Sequence, residues 1–183
     1  MRYIIFDLEA TCWDKGEKKD NETIEIGAIM VDENKEIVDE FSQFVKPIKY
    51  PTLSDFCKNL TSIRQEDVDD APLFPVVIED FKSWIDVENK DYVLCSWGFY
   101  DRKQFESDCA LHHLDTSWIQ SHISLKHQHG QIRNLKRAIG MQNALELEGF
   151  RLEGTHHRGI DDARNITKIF LKYFESWNFD FQK

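Results

Sequence analysis

The chain has 183 residues, 41% of them hydrophobic and 13% aromatic, which is enough apolar material for one folded domain and argues against extensive disorder. A formal net charge of −10 argues against broad electrostatic coating of a nucleic acid and leaves open a local site for a strand end. No signal peptide and no apolar run of membrane-spanning length is read, so a soluble cytoplasmic protein with no membrane partner is expected.

The first element organises the rest. Residues 3–11 form an apolar, β-branched run that ends on two carboxylates, Asp7 and Glu9. Strand side chains alternate faces, so this pair projects to one side, roughly 7 Å apart by Cα rise. Two acids on one face of a buried strand resist desolvation and persist when a cation neutralises them. Oxygen ligands suit Mg²⁺ or Mn²⁺ better than zinc. The plainer reading is a strand that simply ends in polar residues.

Residues 14–22 are polar and charged and read as a mobile hairpin connection. Residues 23–31 predict a second strand with Ile24, Ile26, Ala28 and Met30 on one face. A turn at 32–35 leads to a third alternating strand over 37–45, completing an antiparallel meander. Pro47 and Pro51 break the pattern. Ser54 is read as the cap of a short helix through Leu60, and Thr61 as the cap of another turn over 64–68. Pro75 opens an amphipathic helix with Val77, Ile78, Phe81, Trp84 and Ile85 at helical spacing.

Residues 92–97 predict a central strand, and a helix follows from Asp101 to about His112. The stretch 116–130 mixes His, Ser and Trp and yields no assignment. Short helices are predicted over 131–139 and 143–147, a loop over 154–159, and a last helix over 160–174 with Ala163, Ile166, Ile169, Phe170 and Tyr173 inward. Cys12, Cys57, Cys95 and Cys109 are widely spaced, so free thiols in a reducing compartment are expected. Strands first and helices later predict an α/β domain with a mixed sheet over 1–183.

Asp101 follows an apolar strand and opens a helix, where a capping role is the ordinary alternative to ligand work. Asp162 falls in the first turn of the last helix, where the macrodipole favours an acid, and His157 lies five residues earlier. Together with Asp7 and Glu9 they make a set. Four carboxylates can hold two divalent cations about 4 Å apart for in-line phosphoryl displacement. A histidine titrating near neutrality can take the proton of the attacking water.

Five ordered segments carry a resemblance over nearly the whole chain. They are Phe6-Asp7-Leu8-Glu9-Ala10-Thr11-Cys12-Trp13, Glu22-Thr23-Ile24-Glu25-Ile26-Gly27-Ala28, the run from Leu53 to Ile63, Ser96-Trp97-Gly98-Phe99-Tyr100-Asp101, and the run from His157 to Ile166. In these the sequence resembles DEDDh-type 3′→5′ exonucleases of the RNase H-like superfamily, and within them the ERI-1-like group that includes the bacterial KapD-type proteins. The resemblance implies an RNase H-like fold with a five-stranded mixed sheet flanked by helices. It implies removal of nucleoside 5′-monophosphates from single-stranded RNA 3′ ends with two Mg²⁺ or Mn²⁺ ions. A DNA-directed exonuclease and a catalytically silent binding module are the alternatives.

Residue by residue, the resemblance assigns metal ligation to Asp7, Glu9, Asp101 and Asp162 and the general base to His157, with His156 and Asp161 as second candidates by proximity and the spacing favouring the pair His157 and Asp162. Ala10 and Thr11 are implicated in holding the terminal nucleotide, Phe56 and Leu60 in contacting the last bases, and Trp97 in stacking. Core packing competes for Phe56 and outweighs stacking for Trp97. Arg133, Lys136 and Arg137 form a basic cluster that could track a phosphate backbone, with a solvated helix face as the first reading. Ser62 stands where the family usually has glycine after its Leu-Thr pair. Arg158 stands where a DEDDy enzyme would need tyrosine, which rejects that class. The oligomeric state stays open, with a monomer plausible.

Overall fold

Five strands, β1 Arg2–Ala10, β2 Thr23–Asp32, β3 Ile37–Phe44, β4 Tyr92–Ser96 and β5 His122–Ser124, make one sheet in the order β3-β2-β1-β4-β5. β1 pairs antiparallel with β2, and β2 with β3, while β4 runs parallel to both β1 and β5. The expected mixed sheet is therefore present, with β1 at its centre. The computed structural model describes residues 1–14 and 20–180, so the middle of the connection predicted over 14–22 lies outside the described residues.

Alternation along β1 builds two cores. Ile4, Phe6 and Leu8 face α3, Phe74–Ile85, and α4, Tyr100–Leu111, where Phe6 stacks on Phe105 at 5.3 Å between centroids. Tyr3 and Ile5 face α6, Met141–Glu148, and α7, Gly159–Lys172. Full burial of each such side chain contributes about 1.5–3 kcal/mol. α7 buries Ala163, Ile166, Ile169 and Phe170, spaced to form one helical stripe. Asp7 and Glu9 continue the odd face of β1, so they point to the side that α7 covers.

α7 can cover them closely because two glycines cross there. A Cβ on Gly27 would lie 2.1 Å from the Gly159 carbonyl carbon, so only glycine fits. The Glu25 carboxylate completes the seat. It accepts the Gly159 N–H at 3.0 Å and pairs with Arg158 through Nε at 3.1 Å.

Several expectations need correction. β3 is an edge strand in which Phe41 alone is fully buried, and Ile37 and Val38 face solvent. Ser54 does cap α1, Asp55–Thr61, its Oγ accepting the Cys57 N–H at 3.0 Å. Thr61 does not cap the next turn. It is the last residue of α1, its hydroxyl donating to the Cys57 carbonyl at 2.9 Å and accepting the Ile63 N–H at 3.1 Å, and α2, Gln65–Asp69, starts at Arg64, whose N–H donates to Asp67 at 2.8 Å.

The unassigned stretch 116–130 holds a 3₁₀ turn, Ser117–Ile119, then β5 and most of α5, Leu125–Ile132. The helix predicted over 131–139 is absent. The chain leaves α5 at Ile132 and turns at Asn134, whose φ is +52°. Arg133, Lys136 and Arg137 consequently lie on a loop and not on a helix face. No helix of the described residues is long and apolar enough to cross a membrane.

Candidate active site

β1 and β4 run parallel, so their C-terminal ends open side by side, the usual place for a site in such sheets. Asp7 and Glu9 occupy the end of β1. After β4 the chain turns through Gly98, with φ +130°, a conformation that side chains rarely adopt, and enters α4 with Asp101 in its first turn. Asp162 occupies the first turn of α7, delivered by the glycine crossing. These four acids line one cleft of about 270 Å³ together with His156 and His157. Carboxylate oxygens of Asp7, Glu9 and Asp162 come within 4.8 Å of one another. Asp101 stands at the same cleft but outside that trio, its Oδ1 accepting the Leu8 N–H at 3.3 Å.

Crowded acids in a low-dielectric cleft hold protons more tightly than acids in water. Burial, then Asp101, Glu9 and Asp162, push Asp7 well above the usual carboxylate range. Burial, then Asp162 and Glu25, raise Glu9 to about 9. Burial raises Asp101 to about 6, against the opposing pull of the Leu8 amide. Asp162 rises to about 7 through burial, although the His157 amide favours its ionised form. The β1–β2 register sharpens the strain by setting Glu9 directly opposite Glu25.

The donor set fits a hard divalent cation. Asp162 Oδ1 is buried with no hydrogen-bond partner among the described residues, an acceptor that a cation would satisfy. Three carboxylates within one ion's reach, and no thiol among them, match Mg²⁺ or Mn²⁺ in ligand type.

The two histidines stand over Asp162. The His157 N–H donates to Asp162 Oδ2 at 3.1 Å, and His156 Nε2 lies 3.8 Å from the same oxygen. Their rings stack at 3.9 Å. Burial lowers the pKa of both, and His156 lowers that of His157 further, which favours neutral imidazoles. Asp161 turns away from the cleft to accept the Thr155 N–H at 2.9 Å and an Arg164 N–H at 3.1 Å.

Of the suggested nucleotide contacts, Trp97 lines the cleft, its Nε1 donating to the Ile139 carbonyl at 3.2 Å. Ala10 and Thr11 lie just beyond it and are buried. Thr11 Oγ1 accepts the Glu22 N–H at 2.9 Å. Phe56 and Leu60 sit one turn apart on α1, 41% and 38% exposed, so neither is a core residue. α1 is stitched to the end of β1 by the Ser54 hydroxyl, which donates to the Cys12 carbonyl at 2.6 Å.

Tyr100 and Met141 also line the cleft, and neither was singled out by the sequence reading. Tyr100 was readable as the exposed aromatic beside Asp101, whereas Met141 arrives from α6 and left no local signal. Glu25 was quoted within a motif without a role.

A mixed sheet with an acid-lined cleft at its strand ends, and histidines beside the last acid, defines a nuclease domain of the DEDDh type. The family model described as exonuclease (RNase_T) matches residues 4–170, and the chain belongs to that family. It is 33% identical over 205 residues to the 3′-5′ exonuclease eri1 of Schizosaccharomyces pombe, covering 94% of this chain and 68% of that protein. It is 31% identical over 196 residues to ERI1 exoribonuclease 2 of Xenopus laevis, covering 91% of this chain and 27% of the frog protein. The chain thus spans only about a quarter of the length of the frog relative. The solved nuclease domain of 3′hExo, a DEDDh family member bound to rAMP, superposes with a TM-score of 0.92 at 28% identity, covering all of this chain and 96% of that one.

Proposed function

We propose that this chain is a divalent-metal-dependent 3′→5′ exoribonuclease that releases nucleoside 5′-monophosphates from single-stranded RNA ends. The observation that carries this reading is the meeting of Asp7, Glu9 and Asp162 within 4.8 Å, with Asp101 at the same cleft. The RNA preference is supported by relatives named exoribonucleases and by the rAMP held by a nuclease domain of similar fold.

Asp7, Glu9, Asp101 and Asp162 are assigned to hold two Mg²⁺ or Mn²⁺ ions, and these supply charge neutralisation and polarisation at the scissile phosphate when bound. His157, kept neutral by burial, takes the proton of the attacking water. Its main-chain bond to Asp162 fixes where the imidazole stands relative to the acids. Trp97 and Tyr100 wall the cleft and limit water beside the reacting phosphate. Ala10, Thr11, Phe56 and Leu60 are assigned to the terminal nucleotide and the one before it, where a base stacked on an aromatic contributes about 1–3 kcal/mol.

The deciding experiment follows a 5′-labelled single-stranded RNA in Mn²⁺ or Mg²⁺, beside a matched DNA and a 3′-phosphorylated RNA. Stepwise shortening with release of 5′-monophosphates, abolished by chelator, is the expected result. Internal cleavage, or indifference to chelator, would overturn the reading, and faster loss of the DNA would move the substrate class.

A further inference from the structure

A second groove lies along residues 127–138. It has a volume of about 420 Å³ and is lined by His127, Gln131, Asn134, Leu135 and Ala138. Two contacts tie the residues beside it to the wall of the cleft. Trp97, in the cleft wall, donates to Ile139 at 3.2 Å, and Met141 two residues on lines the cleft. Phe99, next to Tyr100, stacks on His127 at 4.9 Å between centroids.

The charge along this stretch of chain is unlike that of the rest of the sequence. Between Asp115 and Glu146 the chain has no carboxylate, although it carries 33 acidic residues in all. The same stretch holds Lys126, Arg133, Lys136 and Arg137. Arg133 is tied to Glu148 at 3.2 Å and roots the loop. Lys126, Lys136 and Arg137 have no charged or hydrogen-bonding partner among the described residues, and Lys136 and Arg137 are exposed. The Lys126 stem passes Gly98, its Cδ 3.9 Å from where a Cβ there would stand. Unpaired cations on an acidic molecule concentrate a polyanion onto one lane and repel it elsewhere. Side-chain amides of Gln131 and Asn134 and the Phe99–His127 pair offer contacts that tolerate any base.

We propose that this groove carries the RNA strand on the 5′ side of the terminal nucleotide, with Lys126, Lys136 and Arg137 on its phosphates. The proposal rests on the exoribonuclease reading of the cleft. It assigns the basic loop to strand length: a dinucleotide fills the cleft, and only a longer strand reaches the cations. Each phosphate neutralised on a single strand adds about 0.7 to the salt slope of binding.

The test is fluorescence anisotropy with labelled oligouridylates of 2, 4, 8 and 12 nucleotides, in Ca²⁺ to limit turnover. For the unaltered chain, affinity should tighten with length. K136A/R137A should lose roughly 5–10-fold on the 12-mer and less than twofold on the dimer, with a salt slope shallower by about 1.4. K136E/R137E should lose more. Because these side chains are exposed and unpaired, both variants should melt with the parent. An equal loss on dimer and 12-mer, or none on either, overturns the groove, as does a loss reproduced only with an acidic peptide. A parent that degrades the 12-mer while the variants are unimpaired sinks the groove and spares the exonuclease. A parent that binds with the expected length dependence but never shortens the RNA sinks the exonuclease and spares the groove. A parent that binds no oligomer sinks both.

Discussion

The main-chain N–H of His157 donates to Asp162 Oδ2 across 3.1 Å, so the loop histidine is held to the acid by its backbone and its ring lies against His156. If that ring is the base, His157→Ala should slow RNA cleavage by about 10²–10⁴-fold, and His156→Ala by far less. His157 has φ +63°, which asparagine tolerates, so His157→Asn keeps the loop geometry and should show the same loss. Cleavage by the parent should rise with pH through an imidazole pKa displaced below its ordinary value by burial and by His156. The Asn variant should lose that limb. A larger loss in His156→Ala would move the base to His156.

Replacing Asp7 by Asn should abolish turnover and raise the melting temperature of the metal-free protein. The folded acids hold their protons to higher pH than the unfolded ones, Glu9 to about 9 and Asp162 to about 7. Between pH 4 and 9 the folded state therefore binds more protons, and stability falls as pH rises. Mn²⁺ takes the place of those protons, so its stabilising effect should be larger at pH 8 than at pH 6. A melting series at both values, with and without Mn²⁺, measures the difference. A metal shift independent of pH would separate the ion from these acids.

Ser62 ends α1 in the left-handed region at φ 60°. A side chain there costs about 1–2 kcal/mol, and glycine gives back about 0.4–1 kcal/mol through its freer unfolded chain. Ser62→Gly should raise stability by about 0.5 kcal/mol net in a denaturant titration, with activity unchanged. A lower midpoint would show that the serine makes a compensating contact.

Glu148 holds the far end of the second core. It accepts from His129 at 2.9 Å, the Tyr173 hydroxyl at 2.7 Å and Lys172 at 2.8 Å. Burial alone would raise its pKa, but Lys172, Tyr173 and His129 outweigh that and bring it to about 2. Its stability contribution, on the order of 3 kcal/mol, is present above the unfolded pKa near 4.5 and disappears as pH falls toward 2. Glu148→Gln should flatten that acid limb of the stability curve. An unchanged limb would assign acid sensitivity to other carboxylates.

The meander, the Ser54 cap and the long amphipathic helices were legible because each rests on local pattern, whereas local pattern left Asp101 and Asp162 as ordinary helix-start acids and the resemblance of five ordered segments joined them to Asp7 and Glu9. The three residues of β5 were not legible. Its buried His122 and Ser124 bond Ser96 Oγ at 2.9 Å and His127 Nδ1 at 2.6 Å, and three residues show no period. Helical spacing over 131–139 misled because Asn134 breaks the helix by its own left-handed turn, which hydrophobic periodicity does not register. The cleft walls Trp97, Tyr100 and Met141 come from three places in the chain. Trp97 was read as a stacking candidate, whereas Tyr100 beside Asp101 was passed over and Met141 carried no local signal.

The crossing of Gly27 and Gly159 has a consequence for variation in this protein. No charge or nucleophile stands at either position, yet any side chain at Gly27 meets backbone at 2.1 Å and lifts α7, and Asp162 with it, away from β1. A genetic screen for inactive alleles should therefore recover Gly27 as readily as the acids. Those alleles would look different in the test tube, with Asp7→Asn yielding abundant inactive protein and Gly27→Ala yielding little protein at all. Loss of activity at Gly27 is a failure of spacing, and no added metal or change of pH would restore it.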